Sequence, residues 1–236
     1  RLTDNYRHTV IKAREKLASN IASLRDEHSA VGTVHVTGQS HIDYAWLWPI
    51  DETKRKIRRT FANAVRMMEK FPEFVYLQSS AQMYMDLKEN DRDLFERVKE
   101  KISQGKWETI GGMWVESDCT ISSAESLARQ FLYGQMFFEK EFGMRSSVAW
   151  LPDVFGFSWI LPQIMKEAGI EYFSTTKLKW NEKNRFPLDL FLWRGLDGSE
   201  IVCHFFDNPL GGYNGMLNPE AILGTWENFQ DKRVYD

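Results

Sequence analysis

The chain has 236 residues, 43% of them hydrophobic, and its 30 basic and 33 acidic residues give a formal net charge of -3. That length and composition can fill a substantial core, and no basic block could follow a phosphate backbone, so we exclude a disordered chain and a nucleic-acid partner. Cys119 and Cys203 show no paired spacing and no apolar run reaches the ~18 residues of a membrane span, which favours a cytoplasmic protein without a membrane partner.

The first element is a charged, amphipathic pattern that predicts a helix over about residues 3 to 27. The chain starts at Arg1 rather than Met, and it stops within the charged segment "ENFQDKRVYD". We therefore expect a piece of a longer protein. It would consist of a helical lead-in at 1–30 and a β/α domain at 31–236 that is truncated at its C-terminus.

Beyond the lead-in, short runs of β-branched and aromatic residues alternate with amphipathic helical patterns. The runs predict six strands at 33–38, 74–79, 107–112, 147–152, 172–176 and 201–206. The helical patterns predict helices at 53–70, 91–104, 124–142 and 159–168, two of which are followed by Gly143 and Gly169 as left-handed caps.

This alternation is typical of repeated βα units around a parallel sheet, so the predicted fold class is α/β. Six steps without an obvious reversal suggest a parallel β/α barrel, although an open doubly wound sheet has the same local pattern. In both architectures, ligands bind at the carboxyl ends of the strands.

His41 and Asp43 follow the first predicted strand in "TGQSHIDYAWLW". Residues i and i+2 of an extended segment point to the same side, so the imidazole and the carboxylate can converge there. An isolated His-x-Asp is also typical of a strand end whose polar groups bond the backbone or each other.

Asp153 follows the fourth predicted strand in "VAWLPDVFGFS", among aromatics with almost no polar company. A carboxylate in such surroundings is costly to bury unless it has a partner such as a cation. Together with His41 and Asp43 it predicts a divalent-metal site. Zinc is the preferred ion because a histidine is included, and manganese and calcium are alternatives.

Other polar and aromatic residues fall at the same predicted edge. Glu116 and Asp118 in "GGMWVESD" form a plausible polar contact set for a ligand, with solvated loop acids as the alternative. Trp46 follows the first strand, and its flat apolar face suits a sugar ring, although most of the chain's aromatics must fill the core.

Six ordered motifs resemble those of the α-mannosidases of glycoside hydrolase family 38, most closely the cytosolic and bacterial branch: "HIDYAWLW", "GGMWVESD", "RQFLYGQMFF", "WLPDVFGFS", "KLKWNEKNRFP" and "FLWRGLDGSE". The resemblance implies a retaining α-mannosidase that acts on mannose-containing oligosaccharides. It also implies a seven-stranded β/α barrel, incomplete in this span, as the catalytic domain.

Carried over by position, the resemblance implies that His41, Asp43 and Asp153 are zinc ligands, that Asp153 is also the nucleophile, and that Trp46 stacks beside the sugar. Lys177 lies near a basic substrate-site residue of some members, but the local match is loose and we leave it out of the catalytic set. The family's acid/base aspartate motif and its fourth metal ligand do not occur in this span.

We therefore expect the 236-residue chain to be inactive alone. A metal-dependent carbohydrate deacetylase and a noncatalytic sugar-binding domain are the alternative functions. The sequence leaves homo-oligomerisation open.

Overall fold

The computed structural model describes residues 4–29, 32–180, 182–184, 186–206 and 212–230. The chain divides into two compact units, Arg1–Val36 and Thr37–Asp236. The first unit contains helix α1, Asp4–Glu27, none of whose residues is buried. None of the helices within these described ranges combines the length and the hydropathy of a membrane span.

The second unit contains the remaining elements. Its helices are α2 (Ile50–Lys70), α3 (Ala81–Asn90), α4 (Arg92–Ser103), α5 (Ala124–Phe142), α6 (Leu161–Glu167) and α7 (Pro219–Gln230), with a 3-10 turn at Lys177–Lys179. Its strands are β1 (Gly38–Gln39), β2 (Tyr76–Gln78), β3 (Trp107–Thr109), β4 (Val148–Trp150), β5 (Tyr172–Thr175), β6 (Leu190–Arg194) and β7 (Glu200–Phe205).

The strands form two sheets, in the orders β1-β2-β3 and β4-β5-β7-β6. All neighbouring strands are parallel except β6 and β7, which are antiparallel. The backbone N–H of Gly111, just after β3, donates to the carbonyl of Val148 in β4 at 2.8 Å. The carboxyl ends of β3 and β4 therefore lie close together, and the loops that follow them can share a site.

The α/β class is confirmed, but the described strands do not close into a barrel. The expectation of six parallel βα steps is wrong at its last step, because β6 intervenes and pairs antiparallel to β7. Its turn contains Asp197 and Gly198, and Gly198 has a φ of 89°. Asp-Gly between alternating apolar residues is a strong hairpin signal, and it accounts for the antiparallel pairing here.

The first predicted strand is also misplaced. We expected it at 33–38, but β1 contains only Gly38 from that range and continues to Gln39. Val34 and Val36 have exposed side chains. β-Propensity without a packing partner does not make a strand.

Two hydrophobic cores fix the sheets in place. The first packs α2, α3 and α4 on β2 and β3, and α2 contributes Ile57, Phe61 and Val65 at four-residue spacing. Each such fully buried side chain contributes roughly 1.5–3 kcal/mol. The second core lies around β4, β5 and β7 and includes both cysteines.

Candidate metal centre

His41 and Asp43 lie in the loop that follows β1, and their side chains meet. His41 Nε2 is 3.1 Å from Asp43 Oδ1. Ile42, between them, is buried in the first core. The alternation of side-chain directions therefore places one apolar residue inward and aims two potential ligands at the same point.

The first turn of α2 and a residue of α3 hold this loop. The hydroxyl of Thr53 donates to the carbonyl of Tyr44 at 2.8 Å and accepts from Trp48 Nε1 at 2.9 Å. The hydroxyl of Tyr44 donates to Asp86 Oδ2 at 2.8 Å. Burial and the Asp86 carboxylate raise the pKa of Tyr44 well above its usual value, so its hydroxyl keeps the proton that makes this bond.

Asp153 reaches the same point from the loop after β4. Its Oδ2 lies 3.3 Å from His41 Nε2. One ligand atom from each of His41, Asp43 and Asp153 lies within 4.8 Å of the others. These residues fit a divalent cation, because one imidazole and two carboxylates supply neutral and anionic donors in a half-buried setting.

Glu116, which we expected to contact substrate, lies against His41 instead. Its Oε2 is 3.2 Å from His41 Nδ1, on the opposite edge of the ring from Asp43 and Asp153. The loop that carries Glu116 is held by Gln130 of α5, whose carbonyl accepts from Trp114 N–H at 2.8 Å and whose Oε1 accepts from Val115 N–H at 2.9 Å.

Three carboxylates thus surround one imidazole, and they control its protonation. Burial by itself disfavours the charged ring, but the contact with Glu116, reinforced by Asp43 and Asp153, outweighs it and raises the pKa of His41 to about 9. The cluster therefore attracts positive charge strongly, whether as a proton or as a cation.

Lys177, which we left out of the catalytic set, is part of this cluster. Its side chain is 3% exposed and its ammonium contacts Asp153 Oδ1 directly. The same ammonium lies 3.4 Å from the centre of the Trp180 ring and 4.6 Å from that of Phe155. Its position in the sequence just after β5, at the edge where His41 and Asp153 also lie, could have predicted this contact.

The structure does not bring Asp118 into the cluster. Its Oδ1 accepts from the backbone N–H groups of Thr120 and Ile121 at 2.8 and 2.7 Å, and these bonds lower the pKa of Asp118. The carboxylate is therefore used by its own turn.

Trp46 lies in the loop after β1 but does not line the cavity of about 210 Å³ that contains the cluster. Its side chain is 61% exposed. It is accessible to a ligand that extends beyond the cavity. Residues that line the cavity include His41, Asp43, Ser80, Glu116 and Asp153.

Comparison with protein families gives one match that covers the second unit. The N-terminal domain of the glycosyl hydrolases family 38 matches residues 31–236. The chain belongs to this family. The family resemblance of the six motifs is thereby confirmed.

Curated relatives named alpha-mannosidase are also similar to this chain. Alpha-mannosidase 2C1 of Homo sapiens is 46% identical over 200 residues, which are 85% of this chain and 19% of that protein. Alpha-mannosidase G of Dictyostelium discoideum is 45% identical over 198 residues, 84% of this chain and 18% of that protein. The chain therefore spans about a fifth of the length of these relatives.

A solved alpha-mannosidase structure shares the fold. An alpha-mannosidase from Enterococcus faecalis superposes with a TM-score of 0.66 at 21% sequence identity, over 83% of this chain and 22% of that one. This similarity supports the fold of the second unit.

Proposed function

We propose that this chain carries the metal centre and the nucleophile of a retaining α-mannosidase, which removes terminal α-D-mannose from oligosaccharides. The observation that carries the proposal is the convergence of His41, Asp43 and Asp153 in a chain of family 38. The relatives named alpha-mannosidase give the substrate class.

His41, Asp43 and Asp153 would hold the ion, with zinc favoured because the donor set includes an imidazole. Bound there, zinc would supply a Lewis acid that holds the 2- and 3-hydroxyls of mannose. A cavity of about 210 Å³ is smaller than most ligand pockets, which begin near ~300 Å³, and it suits a single terminal sugar. Trp46 does not line this cavity, so it would contact the part of the oligosaccharide that extends beyond it.

Asp153 is the nucleophile in this proposal. The ammonium of Lys177 contacts Asp153 Oδ1 and balances part of the carboxylate's negative charge. Its carboxylate forms a bond to the anomeric carbon while the glycosidic bond breaks, and a second carboxyl group protonates the departing oxygen. Water then hydrolyses the mannosyl-aspartate ester with net retention of configuration.

We propose that the second carboxyl group comes from outside this span, as the family resemblance implies. Among the described residues, Asp43 and Glu116 are acids near Asp153, and both contact His41. Both cysteines are free thiols, which is compatible with the cytoplasmic compartment that we propose.

Trapping with a fluorinated mannosyl donor tests the nucleophile in a longer protein that contains this span. We expect a covalent label on Asp153 and none in Asp153→Asn. A protein that binds metal and hydrolyses acetylated sugars without any label would instead be a deacetylase.

Turnover of an aryl α-mannoside tests where the acid lies. We expect the longer protein to release the aryl alcohol and the 236-residue chain to be inactive. Activity of the isolated chain would place the acid/base group within it and contradict that part of the proposal.

A further inference from the structure

Glu116 and the candidate ligands lie on opposite edges of the His41 ring. Nε2 faces Asp43 and Asp153 at 3.1 and 3.3 Å, whereas Nδ1 faces Glu116 at 3.2 Å. The two ring nitrogens cannot bind the same ion. Glu116 therefore acts on the imidazole from the side away from the proposed metal.

The contact between His41 and Glu116 is shielded from solvent. Both side chains are only 11% exposed. His41 Nδ1 and Glu116 Oε2 are both buried, they approach each other to 3.2 Å, and neither makes a hydrogen bond to any other group among the residues that the structure describes. A buried N–H and a buried carboxylate oxygen must satisfy each other, because leaving either one alone is costly.

Glu116 is itself held in place from the other side. The hydroxyl of Ser79 donates to Glu116 Oε1 at 2.5 Å. Ser79 is buried directly after β2, and the next residue, Ser80, has a φ of 71°. A left-handed backbone at a residue other than glycine is strained and often marks a functional site.

We propose that Glu116 is a positioning residue for the metal centre. It accepts a hydrogen bond from Nδ1–H of His41, and so fixes the tautomer whose Nε2 lone pair faces Asp43 and Asp153. Metal-binding histidines commonly donate their other ring N–H to a carboxylate in this way, which orients the ring and strengthens the ligand. The inference rests on the metal centre of the proposed function.

This role replaces the substrate contact that the sequence suggested for Glu116. Glu116 lines the cavity, but one of its oxygens bonds to Ser79 and the other faces His41, so both oxygens are already engaged within the protein. Ser79, Glu116 and His41 form a chain from the end of β2 to the proposed ion.

Zinc affinity of the 236-residue chain tests the proposal, measured by competition with a chromophoric chelator. We expect Glu116→Ala to weaken zinc binding by roughly 10- to 100-fold. Glu116→Gln keeps an acceptor oxygen of the same shape and should lose less, and Ser79→Ala should cause a smaller loss still. Glu108→Gln, at an exposed position of β3, is the control and should bind as the unaltered chain does.

A spectroscopic measurement separates positioning from general damage. In the zinc-loaded chain, ¹⁵N chemical shifts of His41 should show metal on Nε2 and a proton on Nδ1. In Glu116→Ala, a part of the molecules should instead carry the metal on Nδ1 and the proton on Nε2. Glu116→Gln should keep the metal on Nε2 and the proton on Nδ1. Circular dichroism checks that this variant is folded.

The outcomes distinguish this inference from the proposed function. If His41→Ala binds zinc as well as the unaltered chain, the metal centre itself is wrong. If His41→Ala loses binding and Glu116→Ala does not, the centre stands and the positioning role is overturned. A loss in Glu116→Ala as complete as that in His41→Ala would identify a direct ligand and also overturn it.

Discussion

Lys177 is a buried cation whose role depends on one carboxylate. It is 3% exposed and contacts Asp153, while three aromatic rings lie near its ammonium. Removing one partner of a buried ion pair leaves an uncompensated charge, at a cost of about 3–5 kcal/mol. Because the side chain of Asp153 is 19% exposed, water reduces that cost here.

We therefore expect Lys177→Met to lower the free energy of unfolding by about 2–4 kcal/mol in the presence of a chelator. Saturating zinc should reduce the difference in the free energy of unfolding between Lys177→Met and the unaltered chain, because the ion replaces part of the lost positive charge. Urea unfolding with and without zinc measures both effects. Arg194→Met removes an exposed ion pair with Glu200 and should cost less than about 1 kcal/mol. An unchanged difference on adding zinc would contradict the prediction.

Both cysteine thiols are protected by burial. Burial raises the pKa of Cys119 and of Cys203 to about 12, with the Asp118 charge adding to the effect at Cys119. An unperturbed thiol has a pKa near ~8.5, so at pH 8 the native chain holds far less thiolate than an unfolded chain. A raised thiol pKa lowers the fraction of thiolate, and the thiolate is the form that reacts.

We expect iodoacetamide to modify neither cysteine quickly at pH 8, and both quickly after addition of urea. Mass spectrometry of quenched time points measures the rates. Prompt labelling of either residue in native buffer would show that its surroundings are open.

At the scale of elements, α5 positions the loop that carries Glu116 because it packs without a side chain at Gly134. A Cβ at that position would lie 2.2 Å from the carbonyl oxygen of Gly112 and 2.5 Å from the carbonyl carbon of Met113. Both atoms are backbone, so neither can move without displacing the loop.

We expect Gly134→Ala to lower the free energy of unfolding by about 1–3 kcal/mol, although helix propensity alone would raise it by nearly ~1 kcal/mol. Urea unfolding measures the change. Tyr133→Ala alters the neighbouring exposed position and should stay within about 0.5 kcal/mol. A stabilised Gly134→Ala chain would show that the close approach is absent.

The sequence predicted elements best where local signals were complete. The predicted bounds of α5 are those observed, because its apolar spacing is closed by a Ser123 cap and by Gly143 at a φ of 72°. α3 escaped prediction: its preceding Ser80 makes no side-chain cap, and burial on several sides weakens the helical pattern. The apolar and aromatic residues of β6 and the Asp-Gly turn after it are strand and hairpin signals that the predicted elements left out.

The candidate site was also predictable in part: its three candidate ligands follow from the sequence, but the contacts around them do not. Strand ends bring His41, Asp43 and Asp153 to one edge, which the sequence order already implied. The contacts of Glu116 with His41 and of Lys177 with Asp153 required the positions of neighbouring loops, which side-chain packing between sheets determines and local patterns do not encode.

At the scale of the whole second unit, the candidate ligands join two sheets. His41 and Asp43 follow β1 of the first sheet, while Asp153 follows β4 of the second. The two sheets have separate hydrophobic cores, and hydrogen bonds such as that from Gly111 to Val148 connect them. An ion at this point would tie the two cores together.

Zinc should therefore stabilise both cores as one unit. At a free concentration 100 times its Kd, a ligand that binds only the folded chain adds about 2.7 kcal/mol to the free energy of unfolding. Hydrogen exchange should show protection rising in β2 and in β5 alike, and His41→Ala should abolish the rise in both. An ion held by both His41 and Asp153 is lost as soon as either of their loops separates, so it should protect both sheets. Protection confined to one sheet would therefore mean that the ion does not bridge the two sheets.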